Sequence, residues 1–293
     1  MVKRFCHLIY VPISGVGIGI RDNKWLQYRI EIFKKYTLNS LLNQTEKLFI
    51  IWLSFRQEDR DNPLIAQLIS HLNELKINYI CTFDGLMYHD DKFSKGIKNR
   101  VKNFARLIRQ CYRLKTFKGF TKHAREMIKD KNSDLKARLA KSLDIIKNQL
   151  WGVDWVYVTR IDSDDMFHKE VIKEIQSIPR EPGALVFEKG YVYNSNTQEL
   201  AEWHPKTNPP FHTIIFEAKD FFDPWRYLAW MKDFKSHEDI TRIFKCTKLK
   251  DGGYCVLVHN QANQISTIFD HPFTKERING TKKEEILKDF GIG

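Results

Sequence analysis

Cysteine is sparse in this chain of 293 residues: there are five, Cys6, Cys81, Cys111, Cys246 and Cys255, with no Cys-x-x-Cys pair among them. An odd, widely spaced set excludes a disulfide scaffold and a cysteine-rich zinc module, and predicts reduced thiols in a reducing compartment. No apolar run approaches the roughly 18 residues a membrane-spanning helix needs. The N-terminal apolar stretch is interrupted by His7 and Pro12 and is too short for a signal-peptide core with a cleavage site; the expected location is therefore the cytoplasm, with peripheral contact at the inner face of a membrane left open. The glycines Gly15, Gly17 and Gly19 lack the Rossmann spacing, and no Walker lysine follows them, so they read as a flexible loop rather than a phosphate cradle. Internal repeats and low-complexity tracts are missing as well.

Positive charge is plentiful. The net charge is +12 with a pI of about 9.3, which favours anionic partners such as nucleotides, phosphorylated sugars or an anionic membrane face. Hydrophobic residues make up 42% of the chain, enough for a substantial core. The excess charge concentrates between Lys92 and Gln149, where 18 basic residues face 4 acidic ones. That segment reads as a helical insertion on the surface, either a solvated face or a contact for an anionic membrane.

Hydrophobic periodicity alternates strand with helix over the first third. Phe5–Ile13, Leu48–Leu53 and Asn78–Phe83 are β-branched or aromatic runs that read as strands. A helix from about Lys24 is capped by Asp22 or Asn23, and a second opens at Asn62–Pro63. Such alternation predicts an α/β fold: a Rossmann-like, mixed but mostly parallel sheet flanked by helices. The second half looks different, with apolar runs at Ala184–Phe187, Gly190–Tyr193 and Gln198–Trp203 expected to form antiparallel hairpins. The expected organisation is a single domain over 1–293. Its nucleotide-binding half spans 1–91 and 150–165, the basic insertion 92–149, and an acceptor-binding half with a C-terminal tail 166–293.

The chemistry concentrates where the run Trp155–Thr159 ends in Arg160, Asp162, Asp164 and Asp165 (WVYVTRIDSDD). Ligands of open α/β sheets gather beyond the carboxyl ends of strands. Three carboxylates there repel one another unless a cation neutralises them, and one or two carboxylates completed by water and phosphate oxygens suit Mg²⁺ or Mn²⁺. The competing reading is an acidic turn that caps the following helix. His259, at the end of a late strand, is either a further metal ligand or simply a polar strand end. Ser236, Glu238 and Asp239 form either a helix cap or a site for a catalytic base.

Taken together, Arg21–Arg29 (RDNKWLQYR), Phe33–Thr45 (FKKYTLNSLLNQT), Thr159–Asp165, His237–Asp239 and Val258–Asn260 resemble a family of bacterial rhamnosyltransferases within the wider GT-A class of nucleotide-sugar glycosyltransferases. The resemblance covers roughly 1–60 and 150–270. It implies an inverting, metal-dependent transferase that moves a sugar, rhamnose or another hexose, from a nucleoside-diphosphate donor to a hydroxyl of a glycan or glycolipid. It implies Asp164 and His259 as ligands of Mn²⁺ or Mg²⁺ with Asp162 and Asp165 beside them. Asp162, Arg160 and Arg21 would contact the donor, with Arg160 on the diphosphate or orienting Asp164, and Asp239, with Glu238, would supply the base. Two other classes fit the residues: a metal-dependent phosphodiesterase acting on nucleic acid, against which stands the lack of any nucleic-acid motif, and a non-catalytic sugar-nucleotide-binding protein.

Overall fold

The computed structural model describes residues 4–14, 22–83, 105, 108, 135–150, 152–206, 209, 211–231, 237–259 and 268–293. The glycine loop, Arg21, Cys111 and most of the basic segment lie outside them.

Two sheets carry the fold. The larger contains β1 (Phe5–Pro12), β2 (Ile50–Ser54), β3 (Tyr79–Thr82), β4 (Trp155–Arg160), β6 (Gly183–Val186), β9 (His212–Glu217) and β10 (Cys246–Lys248), in the order β10-β6-β9-β4-β1-β2-β3. Within it β9 alone runs antiparallel to its neighbours, β4 and β6. The smaller sheet contains β5 (Met166–Phe167), β7 (Gly190–Asn194), β8 (Glu199–Trp203), β11 (Tyr254–Val258) and β12 (Thr274–Ile278), in the order β12-β8-β7-β11-β5. The helices are α1 (Asn23–Ile32), α2 (Asn39–Leu42), α3 (Pro63–Glu74), α4 (Leu135–Gln149), α5 (Val171–Ser177), α6 (Ala218–Phe221), α7 (Pro224–Met231), α8 (Ile240–Ile243) and α9 (Gly280–Asp289). A π-helical stretch, Phe33–Leu38, makes α1 and α2 one continuous rod.

The mixed, mostly parallel α/β architecture follows from β1 and β4, in which nearly every residue is buried. Parallel strands covered on both faces read as unbroken apolar runs. Ile9, Val11, Trp155 and Tyr157 face a layer containing Leu26, Ile30, Ile65, Leu68, Ile172 and Ile175 from α1, α3 and α5. Leu8, Tyr10, Val156 and Val158 face the opposite layer, with Leu139, Leu143 and Ile146 of α4. The expected caps are present: Asp22 accepts from the Trp25 amide, and Asn62 accepts from that of Leu64 ahead of Pro63 at the first turn.

Several expectations need correction. The stretch 135–149, read as part of a surface insertion, is a layer helix whose apolar stripe is buried on the sheet. The 184–187 run does not form a hairpin with 190–193; β6 joins the large sheet between β9 and β10, while β7 and β8 form the hairpin. After β4 the chain adds Met166 and Phe167 to β11 as a two-residue edge strand before α5 begins at Val171. Segment 166–293 therefore supplies three strands of the large sheet, and the sheet is built by both halves of the chain. Strands β10 and β12 were not legible, being short and polar.

The rod α1–α2 holds the segment that follows β4. Ser40 Oγ accepts from the Phe167 amide, and the buried Gln44 donates to the carbonyl of His168 while accepting from the Ile172 amide at the start of α5. Helix α9 closes the other side: Asp289 pairs with Lys169 and His168, and Gly291, at φ 78°, ends the helix with its backbone bonded to Lys288.

A polar relay crosses the sheet below these loops. Gln176 donates to Nδ1 of the buried His7, whose Nε2 lies 2.6 Å from Thr159 Oγ1, itself 2.6 Å from Thr213 Oγ1. Burial lowers the His7 pKa from 6.5 to about 3, so the folded protein holds it neutral. Below pH 6.5 the unfolded chain takes up a proton that the native state refuses, and stability falls until about pH 3. The expected loss from this group between pH 7 and pH 5 is about 2 kcal/mol. Denaturant titrations of the wild type and of His7→Gln at both pH values measure it. The variant, which retains a donor and an acceptor, should show a correspondingly smaller pH dependence.

Candidate active site

The large sheet reverses its winding between β1 and β4. From β1 the chain proceeds outward to β2 and β3, then returns to place β4 on the other side of β1. Beyond the carboxyl ends of two such strands the connecting segments diverge and leave a crevice, the usual place for a ligand in open α/β sheets. Arg160 ends β4, so the acidic residues that follow it sit at that crevice.

The three aspartates have three different environments. Asp162, with its side chain 30% exposed, pairs with Arg160 Nη2 at 2.6 Å. Arg160 thus engages Asp162. Asp164 is held by Arg29 of α1 through both carboxylate oxygens, at 2.5 and 3.0 Å. The Arg29 Nε donates to Ser163 Oγ at 2.7 Å, completing a fork around the loop. His259, one residue beyond β11, places Nε2 3.1 Å from Asp164 Oδ2, and its Nδ1 lies 3.2 Å from the Tyr28 hydroxyl. Asp165 turns inward, and its Oδ1 accepts from the Leu257 amide of β11 at 2.9 Å. It thereby continues the pairing that β5 begins.

These contacts separate the acidities of adjacent carboxyls. Burial opposes ionisation of Asp164, but the charge of Arg29 and the bonds from His259 and Arg29 outweigh it and hold the pKa at about 2. Burial, and then the neighbouring charges of Asp164 and Asp162, push Asp165 well above the usual carboxylate range. Ionisation is thus favoured at Asp164 and opposed at Asp165. Two like charges are not forced to coexist in the interior.

Asp164 and His259 offer an oxygen and a nitrogen donor about one hydrogen bond apart, a set that suits Mn²⁺ or Mg²⁺ once phosphate and water oxygens complete the shell. Both are engaged by protein partners: Asp164 Oδ2 accepts from Arg29 and His259, and both His259 nitrogens have a neighbour. Among the described residues no group of three His, Cys, Asp or Glu side chains is set to hold a metal. A cation shared by Asp164 and His259 would compete with Arg29, which holds both carboxylate oxygens.

Glu238 and Asp239 belong to a different segment, a 3-10 turn, His237–Asp239, that leads into α8. Asp239 pairs with Arg242 Nη2 at 3.1 Å and makes no side-chain cap to α8; Ser236 lies outside the described residues. Glu238 lines an open cavity of about 420 Å³ with Phe187, Glu188, Lys189, His204 and Lys206. The cavity adjoins the end of β6, which is parallel to β4 and two strands away from it, or about 10 Å at normal strand spacing. The cavity and the carboxylates thus share one edge of the sheet.

Sequence reasoning missed Arg29 and Tyr28. The signal was present: Arg29 lies on the stripe of Leu26, Ile30 and Phe33, and an arginine on an apolar helix face is costly unless it is paired. A second missed cluster flanks the ends of β1 and β2, where the buried Asp59 receives the Ser14 hydroxyl at 2.5 Å and two nitrogens of Arg56 at 3.0 and 3.1 Å.

No protein-family profile matches the chain, and no curated protein matches it. Two solved structures show a distant similarity to the chain. One is a Desulfovibrio desulfuricans G20 protein provisionally assigned as a nucleotide-diphospho-sugar transferase, 10% identical, with a TM-score of 0.39 over 98% of this chain and 95% of the other. The second is the inositol-1-phosphate CTP transferase of T. maritima, 11% identical, with a TM-score of 0.40 over 99% of each chain. The strand order described above, rather than either likeness, defines the fold.

The environment of Asp165 can be tested by substitution. Asp165→Asn retains an acceptor for Leu257 and carries no charge to bury, so unfolding free energy should change by less than about 1 kcal/mol. Asp165→Ala leaves the Leu257 amide without its acceptor and should cost about 2–3 kcal/mol. Denaturant unfolding of the two variants at pH 7 measures the difference.

Proposed function

We propose that the protein transfers a sugar from a nucleoside-diphosphate donor to a hydroxyl-bearing glycan or glycolipid, as the resemblance to the rhamnosyltransferase family within the GT-A class implies. The observation that supports this reading is the Arg29–Asp164–His259 constellation at the switch point of the sheet. Its carboxylate is kept ionised inside a crevice suited to a nucleotide. In this reading the nucleoside lies over the ends of β1 and β2, near Ser14 and Arg56. The diphosphate reaches Asp164, His259 and the Arg160–Asp162 pair, and the sugar points toward the cavity beside β6.

A divalent cation held by Asp164 and His259 would compensate the negative charge that develops on the departing diphosphate. The chain supplies the remaining chemistry. An acceptor hydroxyl in the cavity attacks the anomeric carbon from the face opposite the diphosphate, the bond from that carbon to the diphosphate oxygen breaks, and a carboxylate removes the hydroxyl proton. Glu238 lines the cavity, whereas Asp239 is engaged by Arg242. We therefore assign the base to Glu238 and give Asp239 the positioning of that turn. The basic excess of 92–149 favours approach to an anionic surface bearing the acceptor. Among the described residues no helix is long and apolar enough to cross a membrane.

The test is a panel of nucleotide sugars assayed for transfer and for donor hydrolysis with Mn²⁺ present. One donor should be turned over, and Asp164→Asn should lower that rate at least about 100-fold. Glu238→Gln should lose about 100-fold or more in turnover with donor binding intact, as removal of a general base does. Asp239→Asn should lose less. Failure of every nucleotide to bind the wild type would overturn the reading.

A further inference from the structure

The bond inventory at Asp164 sets a condition on any cation that enters the site. Arg29 spans both carboxylate oxygens, the Arg29 and Asp164 side chains are only 13% and 14% exposed, and Ser163 holds the third guanidinium contact. A planar guanidinium in this fork geometry is the strongest partner the protein has for a carboxylate. A divalent ion placed on the same oxygens would face the fixed charge of Arg29 at close range.

We propose that Arg29 is an internal counter-cation that exchanges with the divalent ion at Asp164, so that the chain itself keeps the metal site closed until the ion displaces the guanidinium. This inference rests on the metal reading given above and adds a competitor to it. Three features support it. Arg29 is on the rigid rod α1–α2, anchored by Ser40 and Gln44 to the very segment that carries Asp164. Its long stem allows the head to withdraw while the helix stays in place. His259, the other donor, is kept within 3.1 Å of Asp164 by Tyr28 of the same helix, so displacing Arg29 frees a pair of donors already juxtaposed.

The competition predicts a gain of metal affinity on deleting a positive charge. Binding of Mn²⁺ alone is followed by loss of its free electron paramagnetic resonance signal on the full chain, without nucleotide. Arg29→Met should bind Mn²⁺ at least about tenfold more tightly than the wild type, since each charge-assisted bond removed from Asp164 is worth about that factor. Arg29→Lys, which keeps the charge but loses the fork, should fall between them. Thermal melting gives a second readout that survives weak folding: Arg29→Met should melt below the wild type in chelator and recover in Mn²⁺, whereas the wild type should change little. Adding Asp164→Asn to Arg29→Met should abolish both effects. Equal or weaker Mn²⁺ binding by Arg29→Met, or a melting deficit that Mn²⁺ does not repair, would overturn the exchange. Nucleotide binding by the wild type in that case would leave the sugar-transfer reading standing, and absence of nucleotide binding would remove that reading independently.

Discussion

The bidentate pair between Arg29 and Asp164 is the interaction on which the site depends. It spans 135 residues of sequence and joins the first helix to the loop that leaves the central strand. Its consequences spread through neighbouring groups. Burial, together with the charges of Asp164 and Asp162, opposes ionisation of Asp165, which turns inward and accepts from the amide of Leu257. That contact aligns β5 with β11 and carries His259 to the carboxylate. The ion pair thus sits where the two sheets meet the crevice.

The rod α1–α2 makes this possible. It lays apolar residues on the large sheet through Leu26, Ile30 and Phe33, and presents Tyr28, Arg29, Ser40 and Gln44 to the segment 163–172. The π-helical stretch between its two α-helical parts shifts the residues that follow it around the axis. The same rod therefore both packs on the sheet and holds the acidic segment. Precision at the site comes from a helix rather than from the loop that carries the acids. This arrangement suits chemistry that tolerates little displacement.

Legibility in the sequence followed burial pattern and locality. The strands β1, β2, β3, β4 and β11 were readable because doubly covered parallel strands are continuous apolar runs, and the caps at Asp22 and Asn62 were readable because capping is local. Strands β5 and β10 were not, because a two- or three-residue strand is defined by its partner and not by its own composition, and the five-residue β12 (TKERI) is too polar to stand out. The same limit applied to β6, whose apolar run fits either sheet. At the site, Asp162, Asp164, Asp165 and His259 stood out by residue type and by position at strand ends, whereas Arg29 and Tyr28 looked like ordinary residues of an amphipathic helix.

By itself the sequence determined the α/β class, the alternation of strand and helix in the first third, and the acidic cluster beyond a buried strand, because periodicity and residue type act over a few positions. The tertiary structure decided which strands share a sheet, which partner each of the three aspartates meets, and which cation holds Asp164. Those outcomes depend on burial and on charges separated by more than a hundred residues, and no local pattern encodes them. The pairing of Arg29 with Asp164 exists only once β4 lies beside β1 and α1 covers them both.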